Sequence, residues 1–498
     1  MAFALYDSLT AQKRLFTTQT PGHAKLYVCG MTVYDYAHVG HARCYTIYDV
    51  LVRHLRESGM KVTYVRNITD VEDKIVARAK KNGETSLALS QRFTAMFHED
   101  MERLHNLPAD IEPRVSEHIP DIQALVQRLI DKGAAYESAG DVYFRVKAFP
   151  GYGKLSHRKL DNLEYGASGR TTDDEESRKE HPADFALWKK SDEPNDSWPS
   201  AFGRGRPGWH IECSAMAMKH LGETFDLHAG GLDLVFPHHE NEIAQSEAAT
   251  GKPYANHWMH NGFIETNKEK MSKSLGNFFT AREVFNYVEP EAVRYFVMSV
   301  HYRSPLNFDW TLDAENKVSG FPQLEDAERR VEYIYTTRER LLAIPSERVV
   351  DTIGKTPEAI QKLKTSLQSA LDDDLNMPIA LGAVSDFLRE VNELVDGASR
   401  KKGNVAGSVL VAAKDGFATI GRLLGLGTED PSALLLRIRA RRIKARGFTE
   451  EAVEAKIQER IAARNSKDFA LADAVRAELS AMGVELMDSP TGTTWRIP

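Results

Sequence analysis

Cysteine is nearly missing from this sequence: 498 residues carry only Cys29, Cys44 and Cys213. So sparse and odd a set builds no disulfide framework. It points to a reducing compartment, where a cysteine with a special task is a ligand or a nucleophile. Long apolar runs are missing too, and no stretch approaches the roughly 20 residues that span a bilayer, so no membrane partner is expected. Met1 to Thr10 lack the basic flank and apolar core of a secretory signal, and a cytoplasmic location is expected. Net charge is small, −7 for the whole chain, which confines any contact with a polyanion to a local basic stripe. There is no fixed-period repeat and no low-complexity tract. What remains is an ordinary globular mixture, 42% hydrophobic and 27% charged, in a chain too long for one core. Several domains are therefore expected.

Along the chain, Lys25 to Cys29 reads as a short apolar strand, Ala42 to Ser58 as a helix and Lys61 to Ile68 as a second strand. That βαβ unit implies a doubly wound parallel sheet whose ligands gather at the carboxyl ends of the strands, near Cys29 and Asn67-Ile68-Thr69. Glu112 to Pro207 changes to mixed short elements, with an exposed charged loop from Thr171 to His181. The α/β alternation resumes with strand-like Thr224 to His228, a helix near Asn241 to Ala249 and strand-like His257 to Ile264. After Asp309 the periodicity is helical, near Val318 to Leu342, Pro357 to Leu371 and Pro378 to Val395. Helices near Thr449 to Ala463 and Asp468 to Met482 then precede a strand pair, Val484 to Asp488 and Thr493 to Ile497. The expected fold is α/β: a split Rossmann-type sheet in residues 1–115 and 206–265, an insert in 116–205, a loop-bearing segment in 266–315, a helical bundle in 316–430 and a small α/β module in 431–498.

Two motifs suit a nucleotide. His38-Val39-Gly40-His41 stands just before the first helix, where unpaired N–H groups and the helix dipole favour an anion. Gly40 lets a phosphate approach the backbone, and His38 and His41 can donate to its oxygens. Lys270-Met271-Ser272-Lys273-Ser274 sets two lysines and two hydroxyls in a polar loop, and lysines there would neutralise charge developing on a transferring phosphoryl group. Either motif alone also reads as a structural turn or a solvated basic loop. A third constellation suits a metal. His238 and Glu242 are four apart at a helix start and so share a face, while Cys29 and Cys213 border elements of the same fold. Taken singly, each cysteine is equally a small buried hydrophobe, and His238 with Glu242 a surface pair.

Paired motifs of this kind on a split Rossmann fold resemble the class I aminoacyl-tRNA synthetases. The segments Asn67 to Lys74, Pro182 to Lys189, Gly205 to Ser214, Gly230 to Glu242 and Gly492 to Arg496 narrow the resemblance to the cysteinyl-tRNA synthetases, nearly end to end. One departure is Val39, where the class motif has isoleucine. The resemblance implies one Zn²⁺ per chain on Cys29, Cys213, His238 and Glu242, and Mg²⁺ accompanying ATP. It implies a pocket for the substrate cysteine at Gly30, Thr69 and Trp209, and ATP contacts from Gly40, Asp233, Lys270, Ser272 and Lys273. Trp209 is otherwise a core tryptophan and Asp233 a turn aspartate. It further makes the insert a connective-peptide domain, the segment after it a stem-contact region, and the terminal module an anticodon-binding one. The implied partners are ATP, L-cysteine and tRNA(Cys), and the implied state is a monomer. A zinc–thiolate bond, which serine cannot form, would make an editing domain unnecessary. Arg437, Arg439, Arg441, Arg442, Lys444 and Arg446 form the expected basic stripe for tRNA phosphates, or a solvated linker face. Two other readings stay open: a paralogous ligase joining cysteine to an amino sugar, which would lack the terminal module, and a non-catalytic RNA-binding or cysteine-sensing derivative, which would have lost the phosphate motifs.

Overall fold

Residues 23–28, 61–66, 225–231 and 255–261 are the strands on which the chain is organised in a computed structural model, which describes residues 2–159, 177–266, 269–270, 278–400, 403–489 and 492–497. Strand β1 (His23–Val28) runs into helix α1 (Val39–Glu57), which returns the chain to β2 (Lys61–Arg66), parallel to β1. The chain comes back to this sheet much later, through helix α2 (Trp209–Leu221), β3 (Phe225–Gly231), helix α3 (Glu240–Thr250) and β4 (Ala255–Asn261). The order is β4-β3-β1-β2, all parallel. Parallel pairing requires a crossover between neighbours, and crossovers cover both faces, which is why these strands are apolar and buried along most of their length. Val28 is level with Ala229 and Arg66, and Gly231 with Asn261. Cys29, Asn67, Gly231 and Asn261 therefore end their strands at one edge.

Between the two halves, strands Ala135–Ser138, Asp141–Phe144, Phe185–Lys190 and Gly205–Pro207 form an antiparallel sheet in chain order. Phe144, Leu187 and Trp188 of this sheet share one apolar cluster with Ile211 and Met216 of α2 and Trp258 of β4. The insert thus packs directly on the elements that carry the second half of the site.

The C-terminal part is helical: α4 (Pro322–Leu342), then Glu358–Asp372, Met377–Ala398 and Gly407–Leu424, then α5 (Pro431–Arg446). The helix Gly407–Leu424 is not evident in the sequence. Its glycines at 407, 416 and 421 read as breakers, yet a Cβ on Gly416 would lie 2.4 Å from the Phe387 ring, so close packing of two helices explains that residue. Glu450–Asn465, Phe469–Ala481 and the hairpin Glu485–Ser489/Gly492–Arg496 close on a small core around Val453, Ile457, Leu479 and Trp495, to which α5 contributes Ile443. No helix among the described residues is long and apolar enough to cross a membrane.

The basic stripe is engaged inside the protein. Arg437 pairs with Glu289 and Glu429, Arg439 with Glu450, Arg441 with Glu328, and Arg442 with Glu328 and Glu332. These pairs fix α5 to α4 and to the catalytic half. Four of the six residues of the stripe are paired in this way, and local charge does not reveal the partners Glu289, Glu328 and Glu332, which lie more than 100 residues away in sequence.

Candidate active site

The first nucleotide motif forms the start of α1 itself rather than a turn ahead of it. His38 is the N-cap: its Nδ1 accepts from the His41 backbone N–H at 3.2 Å, and the His38 N–H donates to His41 Nδ1, also at 3.2 Å. The two imidazoles stack with centroids 3.7 Å apart. A reciprocal capping box normally uses a hydroxyl and a carboxylate. Two imidazoles do the same work without putting a negative charge where a phosphate would sit, and the first turn of α1 has no acidic residue. A Cβ on Gly40 would lie 2.7 Å from the His38 ring, so any other residue would break the stack.

Cys29 leaves β1, Cys213 sits in the second turn of α2, Glu242 opens α3, and His238 lies in the short turn Val235–His239 before it. These four ligand atoms lie within 4.8 Å of one another and all four residues are buried. Cys29 Sγ is 3.9 Å from Cys213 Sγ and 3.6 Å from Glu242 Oε1, and His238 Nε2 is 3.0 Å from the same Oε1. A tetrahedral ion with bonds of about 2.0–2.3 Å holds its ligand atoms about 3.3–3.8 Å apart, so the spacing fits one. The electrostatics fit as well. The hydrogen bond with Cys29 draws the Cys213 thiol down to about 6 against the cost of burial. Burial alone would discharge His238, but Glu242 and the Cys213 sulfur raise it to about 9. Glu242, despite burial, is held well below the usual carboxylate range by His228 and His238. Anionic Cys213 and Glu242 thus face a cationic imidazole, an arrangement in which a dication would take the place of a proton.

Sequence reasoning missed the shell around this cluster. His228 Nε2 lies 2.8 Å from Glu242 Oε2, and Tyr254 donates to the same oxygen at 3.2 Å. His239 Nε2 is 3.2 Å from Cys29 Sγ, and its Nδ1 is 2.8 Å from His260. Cys29, His228, His239 and Glu242 consequently form a second four-donor set sharing two members with the first. The available signal was histidine within buried strands, His228 in β3 and His260 in β4.

A cavity of about 440 Å³ opens beside the cluster, with Cys29, Gly30, His38, His41, Trp209 and Asp233 in its wall. Cys29 therefore belongs to both cluster and cavity. The Trp209 ring stacks on His238 at 4.0 Å. The Gly30 N–H donates to Asn67 Oδ1 at 2.8 Å, and a Cβ there would stand 1.5 Å from the Asn67 carbonyl oxygen. Asn67 also donates to Thr69 Oγ1 at 3.2 Å. Thr69 is buried and lies outside the cavity wall, its N–H donating to the carbonyl of the wall residue Met31 at 3.2 Å. Asp233 lies on the turn Leu232–Leu234 that follows β3. Cys44, given no role above, also lines the cavity, and burial pushes its thiol up. The backbone of Lys270 pairs with Glu265 in a small sheet, while Ser272 and Lys273 lie outside the described residues.

Residues 15–317 match the family model of the tRNA synthetases class I (C) catalytic domain, and residues 366–428 match the DALR domain. The chain is 48% identical over 503 residues to a cysteine–tRNA ligase of Anaeromyxobacter dehalogenans (strain 2CP-1), covering 100% of each. It is 46% identical to that of Syntrophotalea carbinolica over 498 residues, again covering 100% of both. Among solved structures, Mycobacterium tuberculosis methionyl-tRNA synthetase in complex with methionyl-adenylate has the same fold: TM-score 0.59 at 16% identity, over 83% of this chain and 93% of that one. A parallel sheet split by an insert, a helical C-terminal part and this catalytic-domain match define a class I aminoacyl-tRNA synthetase. Within that class, identity along the full length places the chain in the cysteine–tRNA ligase family, as the sequence motifs lead one to expect.

Proposed function

We propose that the protein activates L-cysteine with Mg²⁺-bound ATP, releasing pyrophosphate, and transfers the cysteinyl group to the 3′ end of tRNA(Cys). The observation that carries this reading is the position of Cys29, shared by a buried four-donor cluster and by a cavity that the imidazole-capped start of α1 also lines. Zinc held by Cys29, Cys213, His238 and Glu242 would supply a soft partner for the substrate sulfur, against which a serine hydroxyl competes poorly. This is the set that the sequence motifs lead one to expect; His228, on the second oxygen of Glu242, would orient that carboxylate.

Around that centre, His38 and His41 hold the triphosphate at the dipole end of α1, and Gly40 keeps the approach open. Asp233 holds the ribose. Trp209, braced on His238, closes over the cysteine side chain, with Gly30 in the pocket wall and Thr69 supporting it from behind through Asn67. Lys270 and Lys273, with Ser272, neutralise charge as the carboxylate attacks the α-phosphate. Lys273→Ala is expected to lower cysteine-dependent ATP–pyrophosphate exchange about a hundredfold with the melting temperature unchanged. Unaltered exchange would remove that lysine from the mechanism. The reading as a whole is tested by charging assays with cysteine and with serine beside an amino-sugar acceptor. Transfer of cysteine to the sugar rather than to tRNA would refute it.

The terminal hairpin module is proposed to bind the anticodon and the insert to act as the connective domain. Because α5 is fastened to α4 by ion pairs and by Leu434 and Ile438 packing on Val331 and Tyr335, the cut is placed after α5, where it uncovers Ile443 of the terminal core. Deleting residues 448–498 is expected to weaken tRNA charging at least tenfold while sparing pyrophosphate exchange. Equal loss of both activities would contradict the division of labour.

A further inference from the structure

A second cavity, of about 480 Å³, lies where the C-terminal half of α1, the end away from His38 and His41, meets α4 and the helix Gly407–Leu424. Arg53, Arg338, Lys414 and Arg422 line it, Leu341 and Phe417 give it an apolar floor, and no carboxylate belongs to its wall. Its cations are poorly neutralised. Arg338 Nη1 donates to the carbonyl oxygens of Gly427 and Glu429, at 2.7 and 2.6 Å, and among the described residues neither Arg338 nor Lys414 has an ion-pair partner. Arg53 donates to Asp49 at 2.7 Å, but that carboxylate also serves the buried Arg294, so one negative charge answers two guanidinium groups. Arg422 reaches Glu57 only at 3.5 Å, and Glu57 is shared with Lys364 at 3.2 Å; Asp415 stands at 4.0 Å.

Neutral carbonyls hold a guanidinium in place without cancelling its charge, and a fixed planar fork matches a phosphate better than a point charge does. The volume falls within the range of small-molecule sites, and a buried phenyl ring beside a leucine offers a face to a flat heterocycle. We propose that this cavity binds a small phosphate monoester with a planar base, of the nucleoside monophosphate class, with the phosphate between Lys414, Arg422 and Arg338 and the base over Phe417 and Leu341. The proposal does not rest on the reading of the catalytic site.

Equilibrium dialysis of radiolabelled AMP against the full chain tests it, comparing wild type with Lys414→Glu/Arg422→Glu, two exposed changes. The double variant is expected to bind one equivalent fewer, whatever number binds near α1, and inorganic phosphate is expected to displace that same equivalent from wild type. Cysteine-dependent pyrophosphate exchange should be unchanged. Should the double variant not fold, Lys414→Gln carries the test, with an expected tenfold loss of affinity at the affected site. Equal AMP stoichiometry and affinity in wild type and variant overturns the proposal. So does unchanged AMP binding accompanied by weaker binding of a tRNA transcript, which would assign these cations to a nucleic-acid backbone. Displacement by phosphate from the variant as fully as from wild type also overturns it.

Discussion

Cys213→Ser is expected to strip the protein of its metal and to lower cysteine-dependent pyrophosphate exchange by about a thousandfold or more, since loss of even an orienting partner costs 10–100-fold. The change removes one atom type and almost no volume, so packing in α2 should survive. What is lost is the thiol that the Cys29 hydrogen bond draws down to about 6. A serine hydroxyl stays protonated there and offers a hard oxygen in place of a soft sulfur. Glu242 and His238 would remain, but as a mutually satisfied ion pair at 3.0 Å, with little reason to exchange that contact for an ion. Elemental analysis of the purified protein and the exchange assay are the two measurements, with the thermal melt as a control for folding. A Cys213→Ser protein that retains a full equivalent of zinc, or that exchanges pyrophosphate at the wild-type rate, would show that the ion sits elsewhere. The set of Cys29, His228, His239 and Glu242 would then be the first alternative. His228→Ala separates the two: as an orienting residue it should weaken metal binding by 10–100-fold, whereas as a ligand its loss should match that of Cys213.

How far the sequence carries the structure depends on the distance over which each feature is decided. The parallel sheet was readable because each strand is a short apolar run and α1 follows β1 within a few residues. The donor set was readable only in part. His238 and Glu242 share a helical face at a spacing of four, but nothing local joins Cys29 to Cys213, which lie 184 residues apart. The family resemblance supplied that pairing. His228 and His239 were missed because each looks like a core histidine until its neighbour is known. The arginines of α5 show the same limit from the other side, a local charge density whose distant carboxylate partners no local pattern reveals. The capping of α1 by two histidines could not be anticipated either, since capping-box patterns are written for hydroxyls and carboxylates.

Arg294→Ala is expected to destabilise the junction between the catalytic sheet and the helical part by about 3–5 kcal/mol, the usual cost of breaking a buried ion pair from one side. Arg294, in the helix Pro290–Met298, is fully buried. It donates from Nε to the Leu424 carbonyl at 2.6 Å, from Nη1 to the Leu104 carbonyl at 2.9 Å and to Asn106 Oδ1 at 2.8 Å, and from Nη2 to Asp49. Burial lowers its own affinity for the proton, and the same charge helps hold Asp49 below the usual carboxylate range. Truncation would leave three buried acceptors without this donor and Asp49 with Arg53 and the Leu107 N–H. Arg294→Lys should recover little, because one ammonium cannot reproduce a fork that meets four acceptors on three segments. Gly425 tests the same junction from the other side: a Cβ there would lie 2.6 Å from the Arg294 Cζ, at a φ of +63° that already disfavours a side chain. Gly425→Ala should therefore destabilise as well, and the pair should be less than additive. The readout is the midpoint of urea unfolding, followed by tryptophan fluorescence. A midpoint unchanged in Arg294→Ala would mean that the contact is not limiting for stability. There is a functional consequence, because Asp49 and Arg53 belong to α1, whose other end carries His38 and His41. Loosening this anchor should raise the KM for ATP under conditions where the variant is still folded, whereas a variant destabilised without slack in α1 would keep the wild-type KM.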